Sequence, residues 1–116
     1  MREKLTKLKK TQEFKRVYSN GKTVANRFIV MYYMPNGLKV NRAGYSVSKK
    51  IGKSVVRNRV KRLLHESFRL LNSNLRQGYD VVFVARGKIA EADFHTLKES
   101  IEKLLKKTPL YEEKEK

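Results

Sequence analysis

Between Lys49 and Arg62 the sequence reads KKIGKSVVRNRVKR. Seven of these fourteen residues are cations (Lys49, Lys50, Lys53, Arg57, Arg59, Lys61 and Arg62), and no acid interrupts them. The chemistry open to such a run is recognition of phosphate. A guanidinium offers a planar fork of N–H donors that matches phosphate oxygens, and an ammonium adds a compact charge. Asn58, between two of the arginines, adds no charge. Its amide donates and accepts, so it can hold neighbouring arginines or a hydrated metal ion, or read a base edge. It can equally be an ordinary exposed asparagine.

A second set is aromatic. Phe14, Tyr18 and Tyr32 lie near Lys15, Arg16, Lys22 and Arg27 in the chain. Aromatic residues on a helix and a strand usually fill a core. They can also line a groove in which single-stranded bases stack, at about 1–3 kcal/mol per base. Tyrosine, with an apolar body and a polar tip, suits a partly exposed wall. The neighbouring cations favour the groove.

Other chemistries find no support. Gly52-Lys53-Ser54 resembles the end of a phosphate-binding P-loop, but Val47 stands where the first glycine of that motif belongs. His65 and His95 are far apart in the chain and have no carboxylate cluster beside them. Glu99 with Lys103, and Glu102 with Lys106, have the spacing of helix ion pairs. No nucleophile–base pair and no metal-ligand spacing is present, so the polypeptide is expected to carry no active site of its own.

Composition narrows the partner. The chain has 116 residues, 40% of them apolar, which suits one domain, 1–116, with one modest core. It has no cysteine, and its longest apolar run, Phe28 to Met34, is too short to span a bilayer. A soluble, cytoplasmic protein is expected. The net charge is +17, and residues 1–76 carry 20 Lys or Arg against 3 acids, while residues 77–116 carry 8 against 8. Charge of this size on one part of a chain points to a polyanion, nucleic acid ahead of an anionic membrane surface.

These residues must be positioned by a small set of elements. Residues 1–10 read as a basic, flexible arm, and 109–116 as a charged tail. Thr11 is a candidate cap for a helix over 12–19 that Asn20-Gly21 ends. Residues 24–34 read as one strand and 39–48 as a second, joined by the Pro35-Asn36-Gly37 turn into a hairpin. Ser54 is a candidate cap for a helix reaching Leu71. Residues 79–85, YDVVFVA, read as a central strand, and a last helix follows over about 91–107. The order α-β-β-α-β-α, with an apolar stripe on both main helices, predicts an α+β domain of two layers.

On the long helix, Val56, Val60, Leu63, Leu64, Ser67, Leu70 and Leu71 project to one side. Asn58, Lys61, Arg62, His65 and Arg69 project to the other, with Arg57 and Arg59 on the flanks. Glu66 is the helix's one acid. Like charges one turn apart cost a helix a few tenths of a kcal/mol per pair, roughly. Cations near its N-terminus also oppose the macrodipole. Bound phosphates relieve both penalties.

The stretch SVSKKIGKSVVRNRVKRLLHESFR, with FKRVYSNGKTVANRFIVMYY before it and YDVVFVARGKIAE after it, resembles the protein component of bacterial ribonuclease P. That resemblance implies a fold like the second domain of ribosomal protein S5. It implies a subunit of an endonuclease that removes the 5′ leader of precursor tRNA, with the catalytic centre and its Mg²⁺ in an RNA subunit. It assigns Arg57, Asn58, Arg59, Lys61 and Arg62 to the RNA subunit, with Lys49, Lys50 and Lys53 in the loop before them and Arg69 as an extension. It assigns Phe14, Tyr18 and Tyr32, with Lys15, Arg16 and Arg27, to a cleft that grips the leader. His65 stands where relatives commonly have a basic residue. The alternative is a general RNA-binding or ribosomal protein with no part in cleavage.

Overall fold

A computed structural model describes residues 5–112. Its strands are β1 (Leu5–Lys7), β2 (Lys22–Ala25), β3 (Ile29–Pro35), β4 (Asn41–Ser46) and β5 (Tyr79–Ala85), and its helices are α1 (Thr11–Asn20), α2 (Ser54–Asn72) and α3 (Phe94–Leu105). The strands make one mixed sheet in the order β1-β4-β5-β3-β2. β5 runs parallel to β4 and antiparallel to β3. It is nearly all apolar because both of its faces are covered. Val81, Phe83 and Ala85 join the main core under α2 and α3, while Val82 and Val84 join a smaller cluster with Leu8 and Val17 under α1.

The two main helices thus share one face, as the apolar stripes predict, and short α1 lies across the other. Phe83 anchors the main core, with Phe68 edge-on at 5.1 Å and Tyr45 stacked at 5.8 Å. Phe68, absent from the projected stripe, is fully buried, whereas Leu70, placed in that stripe, is exposed. Among the described residues no helix is long and apolar enough to cross a membrane.

Several expectations need correction. Residues 24–34 are not one strand. The Asn26 side-chain oxygen accepts from the N–H groups of Phe28 and Ile29, at 2.8 and 3.0 Å, and turns the chain. The hairpin is therefore β2–β3, and the anticipated pairing of β3 with β4 does not form, because β5 occupies the place between them. The basic arm is ordered from Leu5, whose strand pairs in parallel with β4; residues 1–4 lie outside the described part. The tail begins later than expected. Leu110 is fully buried and Tyr111 bridges to Leu75, while 113–116 lie outside the described part.

The caps also shift. Lys10, not Thr11, is the N-cap of α1, and Glu13 Oε1 accepts from the N–H groups of Lys9 and Lys10, both at 3.1 Å. Lys53, not Ser54, is the N-cap of α2. α3 starts only at Phe94, capped by Asp93, because Gly87–Glu91 form a separate 3-10 turn. Glu99–Lys103 and Glu102–Lys106 are not among the ion pairs of the described residues, which are Arg16–Asp80, Arg42–Glu13, Arg42–Asp80 and Arg69–Glu66.

Candidate nucleic-acid interface

α2 holds the cationic set on its outer side because Val60, Leu64, Ser67, Phe68 and Leu71 pin its inner side to the core. Asn58, Arg59, Lys61, Arg62 and Arg69 are exposed, and Arg57 is half-buried. The Nε of Arg57 is buried and has no hydrogen-bond partner among the described residues. Lys49 and Lys50 are exposed on the 3-10 turn Lys49–Ile51, and Lys53 is exposed at the helix cap. Arg59 reaches across to the Ala90 carbonyl at 2.9 Å, which fixes its place beside the Gly87–Glu91 turn.

The ion pairs determine where positive charge remains. Glu66 is taken by Arg69 at 2.7 Å. This hydrogen bond holds the Glu66 carboxyl below its ordinary range and raises the Arg69 guanidinium. Glu13 and Asp80 are both bound to Arg42, and Arg16 stands 3.5 Å from Asp80. No ion pair of the described residues reaches 49–62, so that stretch keeps its full charge toward solvent. Arg69 is the member whose charge is already partly met.

The aromatic trio is brought together. Tyr18 lies 6.4 Å from Phe14 and 4.9 Å from Tyr32, ring centre to ring centre, the second pair edge to face. Phe14 and Tyr32 rest on the small Leu8–Val17–Val82 core, and Tyr18 is 38% exposed. Phe14 and Tyr32 thus pack on this core, while Tyr18 keeps part of its ring exposed. Gly44 of β4 makes this possible. A Cβ at that position would lie 2.5 Å from Phe14 Cζ, so only glycine lets the ring lie against the sheet. Sequence reasoning missed Gly44, although a glycine inside a strand signals close approach.

Lys15 and Arg16 are exposed on α1 beside the trio. Arg27 is not there. It lies at the β2–β3 turn, 4.9 Å above the Phe28 ring, and lines a hollow with Lys88, Asp93 and Thr96 near the start of α3. The Asn26 turn swings it away from the cleft.

A groove of about 390 Å³ connects the two sets, lined by Lys7, Phe14, Tyr45, Lys61, Arg62 and His65 among others. Phe14 belongs to the cleft, and Lys61 and Arg62 to the cationic face. Lys7 and Tyr45 were not anticipated, because they join the groove only through the pairing of β1 with β4. Among the described residues no group of three or more His, Asp or Glu side chains could hold a metal ion.

A family model described as Ribonuclease P matches residues 2–109. The chain is 99% identical over 115 residues to the ribonuclease P protein component of Caldanaerobacter subterraneus subsp. tengcongensis, covering 99% of each. It is 71% identical to that of a Thermoanaerobacter species over the full length of both. The solved RNase P protein of Staphylococcus aureus superposes with a TM-score of 0.85 at 34% identity, covering 94% of this chain and 100% of that one. The protein from Thermotoga maritima gives 0.81 at 32% identity, covering 88% and 96%. The matched span takes in the cationic helix, the aromatic cleft and the groove between them. The chain belongs to the bacterial ribonuclease P protein family and is a subunit of that endoribonuclease.

Proposed function

We propose that the outer side of α2 binds the catalytic RNA of ribonuclease P, and that the Phe14–Tyr18–Tyr32 cleft grips the 5′ leader of precursor tRNA. Family membership implies a ribonuclease P RNA as partner; the division of labour between the two surfaces is the further step. The observation that carries it is their adjacency. Phe14 of the aromatic trio and Lys61 and Arg62 of the unneutralised cationic stretch line one groove. The first can neutralise the phosphates of a folded RNA. The second offers ring faces to single-stranded bases, as a leader has and a folded tRNA body does not.

The protein's part is binding and positioning. Mg²⁺, which the family implies, finds no protein-held site among the described residues, where no group of three or more His, Asp or Glu side chains could hold an ion. In this reading the RNA subunit and substrate hold it, and the cationic face lowers the repulsion between them. Cytoplasmic residence, with the tRNA precursors, goes with the same reading.

The cleft is tested by comparing precursor tRNA carrying a long leader with mature tRNA. Tyr18→Ala or Tyr32→Ala should weaken the precursor by about 1–3 kcal/mol, roughly 5- to 150-fold, and leave mature tRNA nearly unchanged. Gly44→Ala should act in the same direction, since its methyl group displaces Phe14. Equal losses for both RNAs, with a lowered melting temperature, would show that the rings serve only the core.

A further inference from the structure

The groove between cleft and cationic face holds a titratable group that neither surface explains. His65 lies on α2, one turn beyond Lys61. Its Nδ1 is 2.9 Å from the Tyr45 hydroxyl, and the two rings meet edge to face at 5.6 Å. Burial, with Glu66 adding to it, pushes the Tyr45 phenol well above its ordinary value. The hydroxyl therefore keeps its proton, and it donates to Nδ1 or accepts from it according to the imidazole tautomer. Once the imidazole is protonated, Nδ1–H donates to the hydroxyl oxygen and Nε2–H is the donor left for a ligand in the groove.

The surroundings of His65 are cationic. Lys7 comes from β1, Lys61 and Arg62 from the preceding turn of α2, and Arg69 from the next. Glu66 is the one nearby acid, and Arg69 already holds it. α1 contributes only the apolar Phe14. Burial first, then Lys7, hold the imidazole below its ordinary value, while Glu66 opposes them and Arg69 adds to Lys7. In the free protein the surroundings therefore favour the neutral imidazole.

A phosphate in the groove reverses that balance. It screens Lys7, Lys61 and Arg62 and attracts a positive charge at His65. Resting on the RNA-binding reading above, we propose that this groove takes a phosphate of single-stranded RNA with His65 as its proton-coupled contact, the imidazole taking up a proton as RNA binds. The sign follows from linkage. The complex holds the extra proton, so affinity tightens as pH falls through the window between the free and bound midpoints of His65, and is flat above it.

The chain has two histidines, and the second, His95, is exposed on α3 and serves as reference. The test is an NMR titration of both imidazole rings in the full chain, with and without a saturating short single-stranded RNA. The midpoint of His65 should rise with RNA while that of His95 stays. In parallel, wild-type affinity for the same RNA should tighten about tenfold more than that of His65→Gln between about pH 8 and about pH 5.5, a tenfold change being one unit of midpoint shift. His65→Arg, charged throughout, should show no such pH dependence. RNA binding with a stationary His65, or with both histidines moving alike, overturns the proposal, as does a wild-type pH profile in His65→Gln. No binding of the RNA at all would instead remove the RNA-binding reading, and this inference with it.

Discussion

Replacing Asp80 with Ala should destabilise the protein by about 1–3 kcal/mol, the cost of leaving the Arg42 and Asn36 donors without their shared acceptor. Asp80 lies on β5, fully buried, on the face that α1 covers. Arg42 Nε donates to Oδ1 and Nη2 to Oδ2, both at 2.8 Å, and the Asn36 amide donates to Oδ1 at 2.9 Å. This hydrogen bonding raises the Arg42 guanidinium above its already high ordinary value. Without Asp80, Arg42 keeps only Glu13, at 3.1 Å, and Asn36 Nδ2 keeps only the Val40 carbonyl. Glu13 in turn caps α1, and its bonds from the N–H groups of Lys10 and Lys9 hold its carboxyl below the ordinary range. The network thus ties β4, β5 and the start of α1 together beneath the aromatic cleft. Urea unfolding of wild type and Asp80→Ala measures the loss. A difference below about 1 kcal/mol would mean that the network behaves as a surface ion pair.

Reversing two charges on α2 should have the largest effect on RNA. Arg59→Glu with Arg62→Glu removes two guanidinium contacts from the unneutralised face. At about 1.5–3 kcal/mol per charged hydrogen bond, affinity for ribonuclease P RNA should fall by roughly a hundredfold or more. The slope of log affinity against log salt should become shallower by roughly 1.4–1.8, the counterions no longer released from two phosphates. Both side chains are exposed, and Arg59 gives up one bond, to the Ala90 carbonyl. The fold should therefore stay intact. Unchanged affinity and slope in a folded double variant would take the RNA contact away from this face.

The cationic face was legible in the sequence because it depends on local periodicity alone. A period of 3.6 residues and the one acid, Glu66, suffice to place Lys61 and Arg62 outward and Val60 and Leu64 inward. The central position of YDVVFVA followed in the same way from its nearly all-apolar run. What could not be read was pairing between distant strands. The insertion of β5 between β3 and β4 depends on competition for the middle of the sheet, which no turn signal encodes. The groove was hidden for the same reason, since Lys7 and Tyr45 become neighbours only through the β1–β4 pairing. Asn26 was hidden by its context, a polar residue inside what reads as a strand, yet its side chain makes the turn that carries Arg27 away from the cleft. For the aromatic trio, pattern alone left core and groove as alternatives; Phe14 and Tyr32 pack on the small core and Tyr18 stays partly exposed, and the groove role is the one proposed above.

Reconstitution with a bacterial ribonuclease P RNA is the most direct test of the protein's role. Precursor tRNA is incubated with that RNA at low Mg²⁺, with and without the purified chain, and leader removal is followed. Adding the chain should restore cleavage at the mature 5′ end, while the chain alone should cleave nothing. Tight RNA binding without restored cleavage would make it a general RNA-binding protein, and cleavage by the chain alone would place an active site in the polypeptide.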